Sequence, residues 1–278
     1  MKRLCAALGF LTVMPLPAVC RHTERDLAGS VAFFPLIGFL IGLSAAGMQL
    51  ALEDVFPPLV LAVLLIGWLA MTHGGLHLDG LADTADGFLS HHGRERVLEI
   101  MRDSHIGAFG CLAMGGVLAF KVAALASLPN EYWVQAILFA PLAGRSLMVP
   151  MLNLLPPARA DGLGNLFTYR KNIKDSGRSS AQTKPLPLSA LARSANISYR
   201  EQTIQGLLES MGAMAVLLAV AWFTLGFAGL FATAVVVASM LLFVYWCQRR
   251  IGGITGDTLG AANEIAEMLV LLTLCTQW

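Results

Sequence analysis

"PPLVLAVLLIGWLAMTHGGLHLDGLADTADG", residues 57–87, sets two opposed chemistries side by side. Residues 59–71 are apolar without interruption, while Asp79, Asp83 and Asp86 follow within eight residues of one another. An apolar block of that kind belongs in hydrocarbon. Clustered carboxylates do not, unless they face a polar cavity or a cation. The stretch therefore describes a membrane segment that delivers acids to the edge of the bilayer.

The rest of the chain agrees. Of 278 residues, 56% are hydrophobic and 13% charged, against about 25% charged in soluble domains, and mean hydropathy is +0.66. The expected fold is all-α: a polytopic membrane bundle of about six to eight helices, read as one domain over residues 1–278. Suitable spans run over 31–52, 57–73, 107–128, 132–155, 207–224, 227–247 and 258–275. The second is short for a crossing of about 20 residues, and its helix can continue into the Asp-rich stretch. The net charge of +1, with no basic aromatic-rich segment, gives no reason to expect nucleic acid. Self-association is left open.

The connections carry more information than the spans. "EDVFP" (53–57), "PNE" (129–131) and "TLGF" (224–227) are tight turns. The polar stretches 21–30, 74–106, 156–206 and 248–257 all fall on the opposite side when the path is traced. The long loop 156–206 holds eight Lys and Arg against three acids. Such an excess places that face in the cytoplasm, as for an inner-membrane protein whose site opens to the cytosol. The N-terminal "MKRLCAALGFLTVMPLPAVC" imitates a signal peptide, but Pro15 and Pro17 interrupt it. It is read as a retained interfacial or re-entrant helix. The five cysteines show no CxxC spacing and are read as small buried hydrophobes rather than disulfides.

Asp79, Asp83 and Asp86 are spaced i, i+4, i+7, which stacks them on one helical face. Bare carboxylates so placed repel, and a hard divalent cation with oxygen ligands, Mg²⁺, removes the conflict. A solvated loop after a helix would explain three Asp equally simply, but Leu81, Ala82, Ala85, Phe88 and Leu89 keep helical spacing, which a loop has no reason to do. Further polar groups follow in "RVLEIMRDSHIGAFG" (96–110), with Arg102, Asp103 and His105, and in "GGITGDTLGAANEIAE" (252–267), with Asp257, Glu264 and Glu267. The last three acids suit either a site or pairing with Arg249 or Arg250. Arg145, inside the fourth span, suits a substrate phosphate or a buried lock with an acid. His73 and His77 have the i, i+4 spacing of a zinc pair, yet the Glu of HExxH is missing and no third ligand is apparent. Zinc is not the favoured reading.

These motifs, with "FFPLIGFLIG" (33–42) and "DGLGNLF" (161–167), resemble the adenosylcobinamide-GDP ribazoletransferase, or cobalamin (5′-phosphate) synthase, family over nearly the whole chain. Residues 168–205 are longer and more polar than the family's pattern. The resemblance implies a Mg²⁺-dependent membrane transferase of late vitamin B12 assembly. It would join adenosylcobinamide-GDP to α-ribazole or its 5′-phosphate, releasing GMP. Asp79, Asp83 and Asp86 would then hold the metal. Asp103 would complete the metal shell or accept the hydroxyl proton, Arg102 would stabilise phosphate charge, and Asp257 would close the site from the last span. Arg145, His105 and Glu264 would contact substrate. "DTADG" (83–87) also resembles the start of the CDP-alcohol phosphotransferase signature, whose remainder is absent. A phospholipid-building enzyme of that type is one alternative. A transporter is another, although it would place its polar groups near the midplane on broken helices.

Overall fold

The computed structural model describes residues 1–159 and 188–276, the stretch 188–202 through its backbone alone. The motif 161–167 and most of the basic segment, with its surplus of Lys and Arg, lie outside the described residues.

The helices are α1 (Lys2–Leu11), α2 (Glu24–Ala28), α3 (Phe34–Leu52), α4 (Pro58–Thr72), α5 (Leu76–Leu89), α6 (Arg94–Ile100), α7 (Ala108–Ser127), α8 (Trp133–Leu154), α9 (Leu188–Ile251) and α10 (Gly256–Cys275). Among the described residues, five helices are long and apolar enough to cross a membrane, or six if α4 and α5 together form one broken span. The chain is thus an all-α, multi-pass membrane protein. Its outward faces suit lipid: Leu36, Leu40 and Leu43 on α3 and Leu241 and Leu242 on α9 are exposed.

Lipid removes most of the hydrophobic drive between helices, so close packing through small residues takes over. Gly38 and Gly42 of α3 let α8 approach until an added Cβ would stand 2.5 Å from the Pro141 carbonyl oxygen and 2.6 Å from that of Leu138. The falling partner numbers show that α3 and α8 run antiparallel. α8 is the buried centre of the bundle, with Trp133, Phe139, Leu142, Arg145 and Leu147 fully covered.

Three findings depart from the sequence reading. First, α4 does not continue into the acidic stretch. Gly74 and Gly75 take positive φ values of 61° and 76°, and α5 leaves at 87° to α4. Only glycine reaches that conformation without strain. Second, residues 188–206 are helical and belong to α9, so the segment 156–206 is not all loop. α9 itself breaks at Gly226 (φ 58°, ψ −133°), where Trp222 and Phe227 meet edge to face across the fold. Its two arms form a hairpin: Gly206 on the first accepts from Asn153 at the end of α8, and Ile254, just after the second, donates to the Pro156 carbonyl. Third, the cysteines are not all buried hydrophobes. Cys5 and Cys20 pair as a disulfide, because the chain after α1 folds back and brings their Cα atoms to 5.4 Å. Cys111 is exposed, while Cys247 is buried as expected.

α1 is ten residues long, too short to span, and buries Ala6, Ala7 and Leu11.

Candidate active site

α5 presents its acids toward the N-terminal end of α10. Gly80 makes this contact: a Cβ there would stand 2.7 Å from the carbonyl oxygen of Asp257. A turn later, a Cβ on Gly260 would stand 3.0 Å from the Cα of His77. α10 starts where it does because Thr255 and Thr258 form a reciprocal capping box, which satisfies first-turn N–H groups. The result is a set of carboxylates drawn from two helices. Asp83 feels the charges of Asp79, Asp257 and Asp86, with Arg159 as the opposing cation. Asp79 is exposed, and Asp83, Asp86 and Asp257 are half-buried.

Asp86 has a second set of partners. Its two oxygens accept the N–H groups of Gly107 at 2.7 Å and Gly110 at 2.9 Å. Gly107 is the N-cap position of α7, where N–H groups otherwise lack partners and negative charge is favoured. Asp86 therefore ties the loop 101–107 to α5. On that loop Asp103 accepts the backbone N–H of His105 at 3.1 Å and pairs with its Nδ1 at 2.6 Å. The His105 hydrogen bond holds the Asp103 carboxyl below its ordinary range, and Asp103 in turn raises the His105 imidazole. Both are exposed, as is Arg102.

Arg159, which sequence reasoning counted only as part of a basic loop, lies 3.8 Å from Asp257 and donates to the Leu98 carbonyl at 3.0 Å. Arg94 bridges the Ile251 and Ala158 carbonyls. Arg250 does not pair with the α10 acids. It donates to the Phe88 carbonyl at 2.8 Å and to that of Ser90, a cation at the C-terminus of α5. Arg249 donates to the Tyr245 hydroxyl. These arginines fasten the ends of α5, α6, α8 and α9 on the side where the acids sit.

The structure separates Arg145 and Glu264 from this group and sets them in a second, buried cluster. Lys121 donates to Glu264 at 2.6 Å and to Glu267 at 2.7 Å. Arg145 pairs with Glu267, and Asn263 donates to Glu267 at 3.0 Å. His73 Nε2 stands 3.4 Å from Glu264. Lys121 was missed in the sequence, although a lone lysine inside an apolar span is itself a signal that a buried acid waits for it. A cavity of roughly 40 Å³ is lined by His77, Met148, Asp257 and Gly260 among others.

An all-oxygen donor set at a solvent-facing helix junction suits a hard cation and a phosphorylated ligand. Comparison with known proteins identifies the chain's relatives. A model of the cobalamin-5-phosphate synthase family matches residues 3–182 and 178–275. The chain is 35% identical to adenosylcobinamide-GDP ribazoletransferase of Geotalea daltonii over 96% of its length and 94% of the relative's. It is 37% identical to that of Roseiflexus sp. over 96% and 87%, and 34% identical to that of Desulfitobacterium hafniense over 98% and 96%. No solved structure matches.

Proposed function

The chain belongs to the cobalamin-5-phosphate synthase family, and on that premise we infer that it is a membrane transferase of cobalamin assembly, joining adenosylcobinamide-GDP to α-ribazole or its 5′-phosphate. A ribose hydroxyl attacks the phosphorus attached to cobinamide. The new P–O bond forms there, the bridging P–O bond breaks, GMP leaves with the bridging oxygen, and the hydroxyl proton passes to water. The observation that carries the site assignment is the contact of Gly80 with Asp257, which brings carboxylates of α5 and α10 together.

Displacement at phosphorus needs positioning and charge neutralisation more than covalent help. Asp79, Asp83 and Asp257 would hold Mg²⁺, for which their oxygen-only donor set fits. Bound there, the ion supplies neutralisation of the pyrophosphate charge. Asp86 already accepts two amide N–H groups, so it serves first to hold the loop 101–107 and the cation only through its free lone pairs. Asp103, kept ionised by His105, is a weak base. Completing the metal shell is the better of its two candidate roles. Arg102, His105 and Arg159 meet the phosphate charge from the protein side. Arg145 and Glu264 act from beneath, fixing α7, α8 and α10 relative to one another. The basic excess of the polar connections supports a site facing the cytoplasm of an inner-membrane protein.

The test is GMP formation from adenosylcobinamide-GDP and α-ribazole by purified protein in vesicles, with and without Mg²⁺. Mg²⁺-dependent release of GMP is expected, with no product from CDP-diacylglycerol and no solute flux. Absence of GMP at saturating Mg²⁺ overturns the assignment.

A further inference from the structure

We propose that His73, His77 and Glu264 form a second metal site, of the zinc class, separate from the carboxylate cluster that would take Mg²⁺. The i, i+4 histidines lacked a third ligand in the sequence. The fold supplies one from a distant helix: donor atoms of His73, His77 and Glu264 lie within 4.8 Å of one another, and all three residues are buried.

Four observations build the site. The chain bend at Gly74 and Gly75 stacks the two imidazoles, with ring centres 4.3 Å apart, so both rings stand on the same side of the corner. His77 is 4% exposed and its Nδ1 has no hydrogen-bond partner among the described residues, which is costly for a buried polar atom. Glu264 Oε1 meets His73 Nε2 at 3.4 Å, the two atoms a shared ion would bridge, while Lys121 takes the other oxygen at 2.6 Å. That second partner fixes the carboxylate with Oε1 toward the histidines, as outer-shell groups do at metal sites. Finally, the cavity of roughly 40 Å³ reaches His77 and has room for about one water. Three protein ligands are the set of a zinc site whose fourth ligand is water or an exchangeable group.

The donor chemistry selects the ion. Two imidazoles and one carboxylate favour zinc, cobalt or iron over magnesium, so the two sites discriminate by ligand type. Two features oppose binding and limit its strength. The Lys121 charge is close, although Glu267 shares it. His73 must carry its proton on Nδ1 to offer Nε2, giving up the 3.3 Å contact from the His77 N–H. Neither feature removes a ligand.

Metal binding is measurable without turnover, so this inference stands apart from the transferase reading. Chelator-stripped protein in detergent is titrated with Co²⁺ and then Zn²⁺ in millimolar Mg²⁺, with visible absorption and elemental analysis as readouts. The expected result is one Zn²⁺ per chain that excess Mg²⁺ does not displace. Affinity should fall at least tenfold in His77→Gln and in Glu264→Gln and be retained in Asp83→Asn. Substoichiometric Zn²⁺ in the wild type, or unchanged binding in His77→Gln, overturns the proposal. Should the variants fail to fold, X-ray absorption at the zinc edge of the wild type decides, since a shell without two imidazoles also overturns it.

Discussion

Gly80 of α5 lies against the backbone of Asp257 on α10 so closely that an added Cβ would come within 2.7 Å of its carbonyl oxygen and 2.9 Å of its Cα. Backbone cannot swing aside as a side chain can. Gly80→Ala should therefore push α5 from α10 and withdraw Asp257 from the other carboxylates. Overpacking of this kind costs about 1–3 kcal/mol. A lower unfolding temperature in detergent and at least tenfold slower GMP release are expected together. Normal turnover would show that the helix contact does not set the site.

Asp83 and Asp86 are one turn apart yet differ in their partners, and the same substitution should separate them. Asp86→Asn keeps one acceptor oxygen for two amide N–H groups and loses the negative charge at the α7 N-terminus. A loss of about 1 kcal/mol of stability is expected, the usual scale for a weakened cap. Asp83→Asn should leave stability near normal and cut turnover about 100-fold, the scale of a lost transition-state contact. Near-normal turnover of Asp83→Asn at saturating Mg²⁺ would remove Asp83 from the metal set.

His105 gives a pH signature. Asp103 raises its imidazole above the ordinary 6.5, so the proton is held at lower pH and lost only as pH climbs through the raised value. Its contribution to binding an anionic substrate is then complete on the acid side and fades with rising pH. KM for adenosylcobinamide-GDP should rise through that window in the wild type. In His105→Gln the rise should vanish, with kcat little changed. A profile identical in both proteins would leave His105 outside the substrate contacts.

The spans were legible because length and apolar content alone decide whether a helix suits a bilayer. The acids of α5 were legible because a heptad-like spacing survives in a helix wherever that helix points. The corner at Gly74 and Gly75 was not, since two glycines after an apolar run can end a helix, bend it or sit inside it. Nor was the helix start at Leu188, whose polar composition hides a helical backbone. The buried cluster was the hardest to see. Lys121 is averaged away in any window over α7, and its meeting with Glu264 and Glu267 is a fact of tertiary packing across some 140 residues.

That cluster gives a way to separate the two roles open to Arg145. Its guanidinium is fully buried and pairs with Glu267, which Lys121 also holds. In such a setting the removal of one partner is far more damaging than removal of the pair, because the remaining charge is stranded out of water. Arg145→Met should destabilise the protein by about 3–5 kcal/mol, read as a large fall in unfolding temperature in detergent. Arg145→Met with Glu267→Gln should recover part of that loss, since an amide in place of the Glu267 carboxylate carries no charge and its oxygen can still accept from Asn263. A residue whose task was to bind phosphate would behave differently. Its loss would raise KM with little change in stability, and the second substitution would restore nothing. Recovery of stability in the double variant therefore identifies Arg145 as the lock that holds α8 to α10, the helix that carries Asp257 into the site.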